Sequence, residues 1–271
     1  MNTVNDATVP LADESMTTVL SVHQLQMRFG GLLAVDGVNF QVKDKEVFAI
    51  IGPNGAGKTT VFNCISGFYK PTKGRIMYEG ADIAGQTSHK LARKGIVRTF
   101  QNVRLFRNMT VVENLLVAQH AQLNTNLLSG LINTKKYRAS EQAALSRAAF
   151  WLNKVRLRDV ANREAGNLSY GQQRRLEIAR CMITHPKLLL LDEPAAGLNP
   201  QETVALDALI RDLRETCGVT VLLIEHDMRL VMDVSDRILV MEYGQPIAEG
   251  TPEEIKNNPR VIQAYLGVED E

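Results

Sequence analysis

The sequence predicts an α/β fold built on a buried parallel sheet, and three features of its 271 residues carry that expectation. Short, almost wholly apolar runs at residues 47 to 51, 188 to 191 and 219 to 224 suit strands covered on both faces. Alternation in Val38-Asn39-Phe40-Gln41-Val42 and in Gly74-Arg75-Ile76-Met77-Tyr78 suits half-exposed strands of a smaller antiparallel sheet. From Asn102 to Ala165 the apolar spacing changes to three and four, in Val111 to Ala118 and in Ala139 to Val155, so that segment reads as a helical insertion.

The first core strand leads into the chain's most specific motif. Phe48-Ala49-Ile50-Ile51 is followed at once by Gly52-Pro53-Asn54-Gly55-Ala56-Gly57-Lys58-Thr59, and Thr60-Val61-Phe62-Asn63-Cys64-Ile65 then reads as a helix. Strand, glycine-rich loop and helix in that order form a phosphate loop: backbone N–H groups converge on phosphate oxygens at the positive end of the helix. Lys58 is expected to reach the β and γ phosphates, and the Thr59 hydroxyl to ligate Mg²⁺. The core is therefore expected to be that of a phosphate-loop NTPase, binding ATP and Mg²⁺.

The second strand ends in carboxylates. Leu188-Leu189-Leu190-Leu191-Asp192-Glu193 puts Asp192 at the carboxyl end of a buried strand, beside the phosphates, where it would hold the Mg²⁺ shell. Glu193, one residue on, is the expected general base for the attacking water. An isolated Asp-Glu pair after leucines is more often an ordinary strand end; the upstream phosphate loop makes the catalytic reading the stronger one.

Leu168-Ser169-Tyr170-Gly171-Gln172 has capping-box spacing before the helical run Arg174 to Arg180. A capped helix start with glycine beside it is a second anion site. One chain binding one nucleotide does not need two, unless the second closes over the nucleotide of a partner. That is the logic of a head-to-tail dimer with two ATP molecules at its interface.

With these motifs in place, the chain resembles the ATP-binding subunits of ABC transporters from about Leu20 to Gly267, and within them the LivG-type ATPases of branched-chain amino-acid importers. The closer resemblance rests on Met27 to Val35, Val97-Arg98-Thr99-Phe100-Gln101, Glu193 to Pro200, Glu225-His226-Asp227-Met228 and Ala264-Tyr265-Leu266-Gly267. It implies that Phe29 stacks on adenine, that Gln101 touches Mg²⁺ and water when the site closes, and that His226 holds the γ phosphate and orients Glu193. ATP is then held by Gly52, Pro53, Asn54, Gly55, Ala56, Gly57, Lys58, Thr59 and Thr60, while Ser169, Gly171 and Gln172 cover the partner's ATP. Implied partners are a second ABC ATPase subunit, favoured to be a paralogue, two transmembrane permease subunits and, indirectly, a substrate-binding protein, at the cytoplasmic face of the inner membrane. Urea or other small amides stay open as cargo, and a soluble ABC-type regulator without permease stays open as a rival. Two residues depart from the commonest family pattern: Tyr170 where glycine is usual, and Asn199 where aspartate is usual.

Composition sets the remaining bounds. A chain that is 45% hydrophobic with a net charge of +1 can bury a large core and carries no nucleic-acid footprint. Cys64, Cys181 and Cys217 lack metal-ligand spacing and read as small buried residues. No apolar run approaches the roughly 20 residues of a spanning helix, so any membrane link is expected through partners. Residues 1–18 read as a disordered lead, 19–267 as one nucleotide-binding domain, and 268–271 as a tail. Within the domain, 19–101 and 166–250 form the core with its antiparallel sheet, 102–165 the helical subdomain and 251–267 a C-terminal helix. Ile238 to Met241 and Pro246 to Ala248 are expected to flank a hairpin turn. Lys135, Lys136, Arg138, Arg147, Lys154, Arg156 and Arg158 make the insertion basic, a solvated face by default and a lipid or permease contact as the functional alternative. Val103 to Phe106 is apolar enough to border a groove for a permease helix.

Overall fold

The computed structural model of the protein describes residues 17–119 and 135–266. Residues 1–16 of the expected lead, Gly267, the tail and residues 120–134 of the insertion lie outside the described residues, as do the side chains of Lys135 and Lys136.

Among the described residues ten strands form two sheets. In chain order they are β1 (Thr18–Phe29), β2 (Leu32–Lys43), β3 (Val47–Ile51), β4 (Lys73–Tyr78), β5 (Ala81–Asp82), β6 (Ile96–Arg98), β7 (Leu188–Asp192), β8 (Thr220–Ile224), β9 (Arg237–Glu242) and β10 (Gln245–Gly250). The larger sheet has the order β10-β9-β3-β8-β7-β6, parallel throughout except for the β9–β10 hairpin at one edge. Its three central strands are the expected apolar runs, and every residue of β3, β7 and β8 is buried.

Period-two geometry divides those strands between two cores. Val47, Ala49, Ile51, Leu189, Leu191, Val221 and Leu223 join the core beneath the helices. Phe48, Ile50, Leu188, Leu190, Leu222 and Ile224 face the smaller sheet, where Phe48 stacks on Phe40 with centroids 5.3 Å apart. Each such side chain, fully withdrawn from water, contributes about 1.5–3 kcal/mol. Continuous apolarity in these runs is therefore two alternating faces superimposed.

The smaller sheet, β2-β1-β4-β5, is antiparallel. Its expected members lie in β2 and β4, but they pair through β1, which alternation does not reveal. The reason is local: the β1–β2 register shifts four times along the ladder, and Gln24 has φ 48°, so the period of two is interrupted. In the larger sheet β6 is only three residues long, and β9 belongs to the parallel core as well as to the hairpin; neither is expected there from its sequence.

The insertion contributes the helices Val111–Gln119 and Lys135–Lys154. Ala144, Ala148, Trp151 and Leu152 form the buried stripe of the longer one, and Gln119 ties the pair, donating to the Ala144 carbonyl and accepting from Arg147. Part of the basic face is thus engaged inside the chain: Arg147 on Gln119, and Lys154 on Asp212 at 2.8 Å. The expected single C-terminal helix is two, Pro252–Lys256 and Pro259–Leu266. Pro259 disfavours helical geometry at Asn258, whose side chain instead caps the second helix by accepting from Arg260 N. Cys64 and Cys181 are buried, and burial raises both thiols to about 12; Cys217, expected buried, is exposed at the end of its helix.

Candidate functional site

Four loops meet where the parallel strands end. The glycine-rich loop follows β3, Gln101 lies beyond β6, Asp192 and Glu193 end β7, and His226 follows β8. In an open α/β sheet this carboxyl edge is where ligands bind.

The glycine-rich loop is shaped by close approach. Gly52 and Gly57 have φ 147° and 92°, and a Cβ on them would lie 2.0 Å from the Met241 carbonyl oxygen and 2.6 Å from that of Ala34. The helix that follows, Lys58–Ile65, starts without a side-chain cap, so its first-turn N–H groups have no side-chain acceptor. Lys58 is buried; its Nζ donates to the loop's own Gly52 and Pro53 carbonyls at 2.6 and 2.9 Å. Burial pulls its pKa down, against the pull of the Glu193 carboxylate, which favours the charged form. Uncapped N–H groups and a buried cation in one loop are complementary to a phosphate chain.

Gln101, Glu193 and His226 converge on a single oxygen. Glu193 Oε2 accepts from Gln101 Nε2 at 2.8 Å and lies 3.9 Å from His226 Nδ1. Glu193 itself has φ 45°, an unusual conformation for a non-glycine residue, and its N–H donates to Ile224 O at 2.9 Å. Asp192 is buried, with Oδ2 2.5 Å from Arg98 Nη2. Arg98 also donates to Asn63 and Ser66, at the end of the glycine-loop helix, and lies over the rings of Phe62, Phe68 and Phe100. An Asp192 carboxylate, a Thr59 hydroxyl and a Gln101 amide oxygen would make an all-oxygen donor set with one carboxylate, of the kind that suits Mg²⁺ completed by phosphate oxygens. Among the described residues no cluster of three or more His, Cys, Asp or Glu could hold a metal without such help.

Ser169 and Gln172 form the expected capping box at the start of the Tyr170–Met182 helix, Gln172 N donating to Ser169 Oγ and Ser169 N to Gln172 Oε1. Among the described residues neither side chain bonds to the glycine-rich loop. Both departures from the common pattern acquire contacts. Tyr170 packs on Gly197, where a Cβ would lie 3.3 Å from its ring, and its hydroxyl accepts from Arg174. Asn199 caps the Pro200–Cys217 helix in a second capping box with Glu202. Glu202 in turn fills the space beside Gly171, where a Cβ would meet it at 2.3 Å.

Phe29, at the end of β1, is 41% exposed and meets Tyr69 edge-on, centroids 5.2 Å apart, so two aromatic rings stand together where one was expected. Further polar residues escape sequence reasoning. Arg174, fully buried, donates to the carbonyls of Phe100 and Gln101 and pairs with Glu177, which accepts from Phe100 N and Arg104 N. Together they fix the backbone on which Gln101 stands. The β9–β10 turn, to which the sequence assigned no chemistry, touches the site: Gly244 N donates to Ala56 O and its carbonyl accepts from Asp36 N.

Comparison with known proteins agrees with this architecture. The ABC transporter family profile matches residues 35–196, and a profile described as branched-chain amino acid ATP-binding cassette transporter matches residues 245–271. The chain is 64% identical over 249 residues to the high-affinity branched-chain amino acid transport ATP-binding protein BraF of Pseudomonas aeruginosa, covering 92% of this chain and 98% of BraF. It is 61% identical over the same length to the corresponding LivG of Escherichia coli, with the same coverage. Among solved structures, the ADP conformation of MJ1267, an ATP-binding cassette of an ABC transporter, superposes with a TM-score of 0.80 at 34% identity, covering 93% of this chain and 99% of that one.

Proposed function

The chain belongs to the ATP-binding subunits of ABC transporters, and we propose that it hydrolyses ATP to drive a membrane importer of branched-chain amino acids. The observation that carries the hydrolytic reading is the convergence of Gln101, Glu193 and His226 on one carboxylate oxygen beside Lys58. Identity above 60% to proteins named for branched-chain amino acids favours that cargo over small amides.

The chemistry follows from the residues. Lys58 and the first-turn N–H groups bind the phosphates, and the exposed face of Phe29 offers stacking to a base with little hydrogen-bond selectivity. Thr59, Asp192 and Gln101 would hold Mg²⁺, which when bound offsets charge on the phosphate oxygens. Glu193 accepts the proton of the attacking water, and His226 and Gln101 hold its carboxylate in place. Ser169 is exposed at the start of its helix, with Gly171 buried under Glu202 beside it and Gln172 half-buried, and the chain whose site Ser169, Gly171 and Gln172 cover is a second ATPase subunit, favoured to be a paralogue. Binding of the γ phosphate by both halves favours the closed pair, and hydrolysis releases it; permease subunits convert that population shift into alternating access.

Among the described residues no helix is long and apolar enough to cross a membrane; on this reading the permeases hold the chain at the cytoplasmic face. Phe106, 46% exposed with Arg180 over its ring at 5.1 Å, borders the proposed permease groove. The test is purification from membranes with identification of the bound subunits, followed by phosphate release from that complex with and without a branched-chain amino acid supplied by its binding protein. ATP turnover by the complex is expected to rise with leucine, isoleucine or valine; stimulation by urea or small amides alone would reassign the cargo.

A further inference from the structure

Glu225 is fully buried, and its carboxylate is shared between two loops of the site. Oε1 accepts from Ala195 N at 2.6 Å; Oε2 accepts from His226 N at 3.0 Å and Asp227 N at 3.3 Å. The placement follows from how the ladder between β7 and β8 ends. Asp192 pairs with Ile224 in the last register position, and Glu193 N makes one more bond to Ile224 O. Beyond that the left-handed turn at Glu193 carries the β7 loop away, and no backbone carbonyl of the β8 loop receives Ala195 N. The Glu225 side chain takes over as acceptor. Three N–H groups on one buried carboxylate is a strong set, since each bond to an ionised acceptor contributes roughly twice a neutral one. Burial raises the Glu225 pKa, and the bonds from Ala195, Asp227 and His226 offset only part of that rise.

We infer that Glu225 is a positioning residue for hydrolysis, holding the loop that carries Glu193 and the loop that carries His226 at the spacing the reaction needs. Fully buried, it acts through the backbone of Ala195 and His226. Because the Ala195 loop runs on to Asn199, the same carboxylate also anchors the segment beside the Ser169–Gln172 edge. The inference rests on the hydrolytic reading proposed above.

Glu225→Gln is the discriminating variant. It keeps shape and volume, but a single amide oxygen replaces two acceptors, and its NH₂ group faces whichever N–H group it does not serve. Displacement of a catalytic group by about 1 Å can cost on the order of 10²-fold. In the purified complex, kcat for phosphate release is expected to fall about 10- to 100-fold with the KM for ATP within about twofold, the signature of an interaction made in the transition state. In a His226→Ala background the same change is expected to cost much less, since the two act through one element. A kcat within twofold of the parent, or full additivity with His226→Ala, overturns the inference. Should Glu225→Gln not fold, Glu225→Asp, one methylene shorter, carries the test: the same loss in kcat at unchanged KM supports the role and unchanged turnover overturns it. A readout independent of turnover is the His226 imidazole resonance in ¹⁵N-labelled protein, expected to move in Glu225→Asp. If the parent complex releases no phosphate, the hydrolytic reading fails, and a stationary His226 resonance would separately remove Glu225 from its role.

Discussion

The loops at the carboxyl ends of β3, β6, β7 and β8 are bound to one another by side chains that cross between them, whereas among the described residues the side chains of Ser169 and Gln172 bond only within their own capping box. On the first side, Gln101 reaches Glu193, Arg98 joins Asp192 to the end of the glycine-loop helix, and Arg174 spans from the Tyr170–Met182 helix to the Gln101 backbone. On the second, a capping box satisfies itself and faces outward. The contrast separates what folding determines from what association must supply. On the proposed reading, phosphate binding and the base belong to one chain and the cover over the γ phosphate to another.

The sharpest way to break that comparison is Glu193→Gln. It is expected to keep ATP binding, accumulate the closed pair and lose about 10² to 10⁴ in turnover, measured by phosphate release and by sizing in ATP. Near-parent turnover would place the base elsewhere. Next comes a pair of variants. Lys58→Ala is expected to weaken ATP binding by about 10- to 100-fold, the equivalent of one charge-assisted contact. Ser169→Arg should leave binding to the single chain unchanged while suppressing turnover. Mixed together, the two inactive chains should regain activity only where identical chains pair, because one of the two composite sites then has an intact loop and an intact cover; with the favoured paralogous partner the mixture should stay as dead as its parts. The smallest effect is expected from Phe29→Ala, about 2- to 10-fold in affinity for ATP and GTP alike, given the energy of one aromatic contact. A loss confined to ATP would show that the Phe29–Tyr69 pair selects the base.

Patterns that are local in sequence were legible, and patterns that depend on distant packing were not. The glycine-rich loop announces itself because strand, turn and helix each leave their own period in adjoining residues. The apolar runs of β3, β7 and β8 reveal the sheet for the same reason. Strand β1 escaped because its shifted register erases alternation, and the break before Pro259 was masked by helical residues on both sides. Arg98, Arg174, Glu177 and Glu225 are the more instructive omissions. A charged residue in a sequence is by default a surface residue, and nothing within a few positions of Glu225 shows that Ala195, thirty residues away, will offer it an N–H. Buried charges that bind backbone become visible only once the loops are assembled.

The left-handed backbone at Glu193 reaches beyond catalysis. A residue with a Cβ held at φ 45° stores strain that asparagine or glycine would relieve, so the position proposed for the base is poorly suited to rigidity. Descendants freed from the need for turnover should drift towards glycine there and become harder to melt, leaving a fossil switch that still grips its nucleotide.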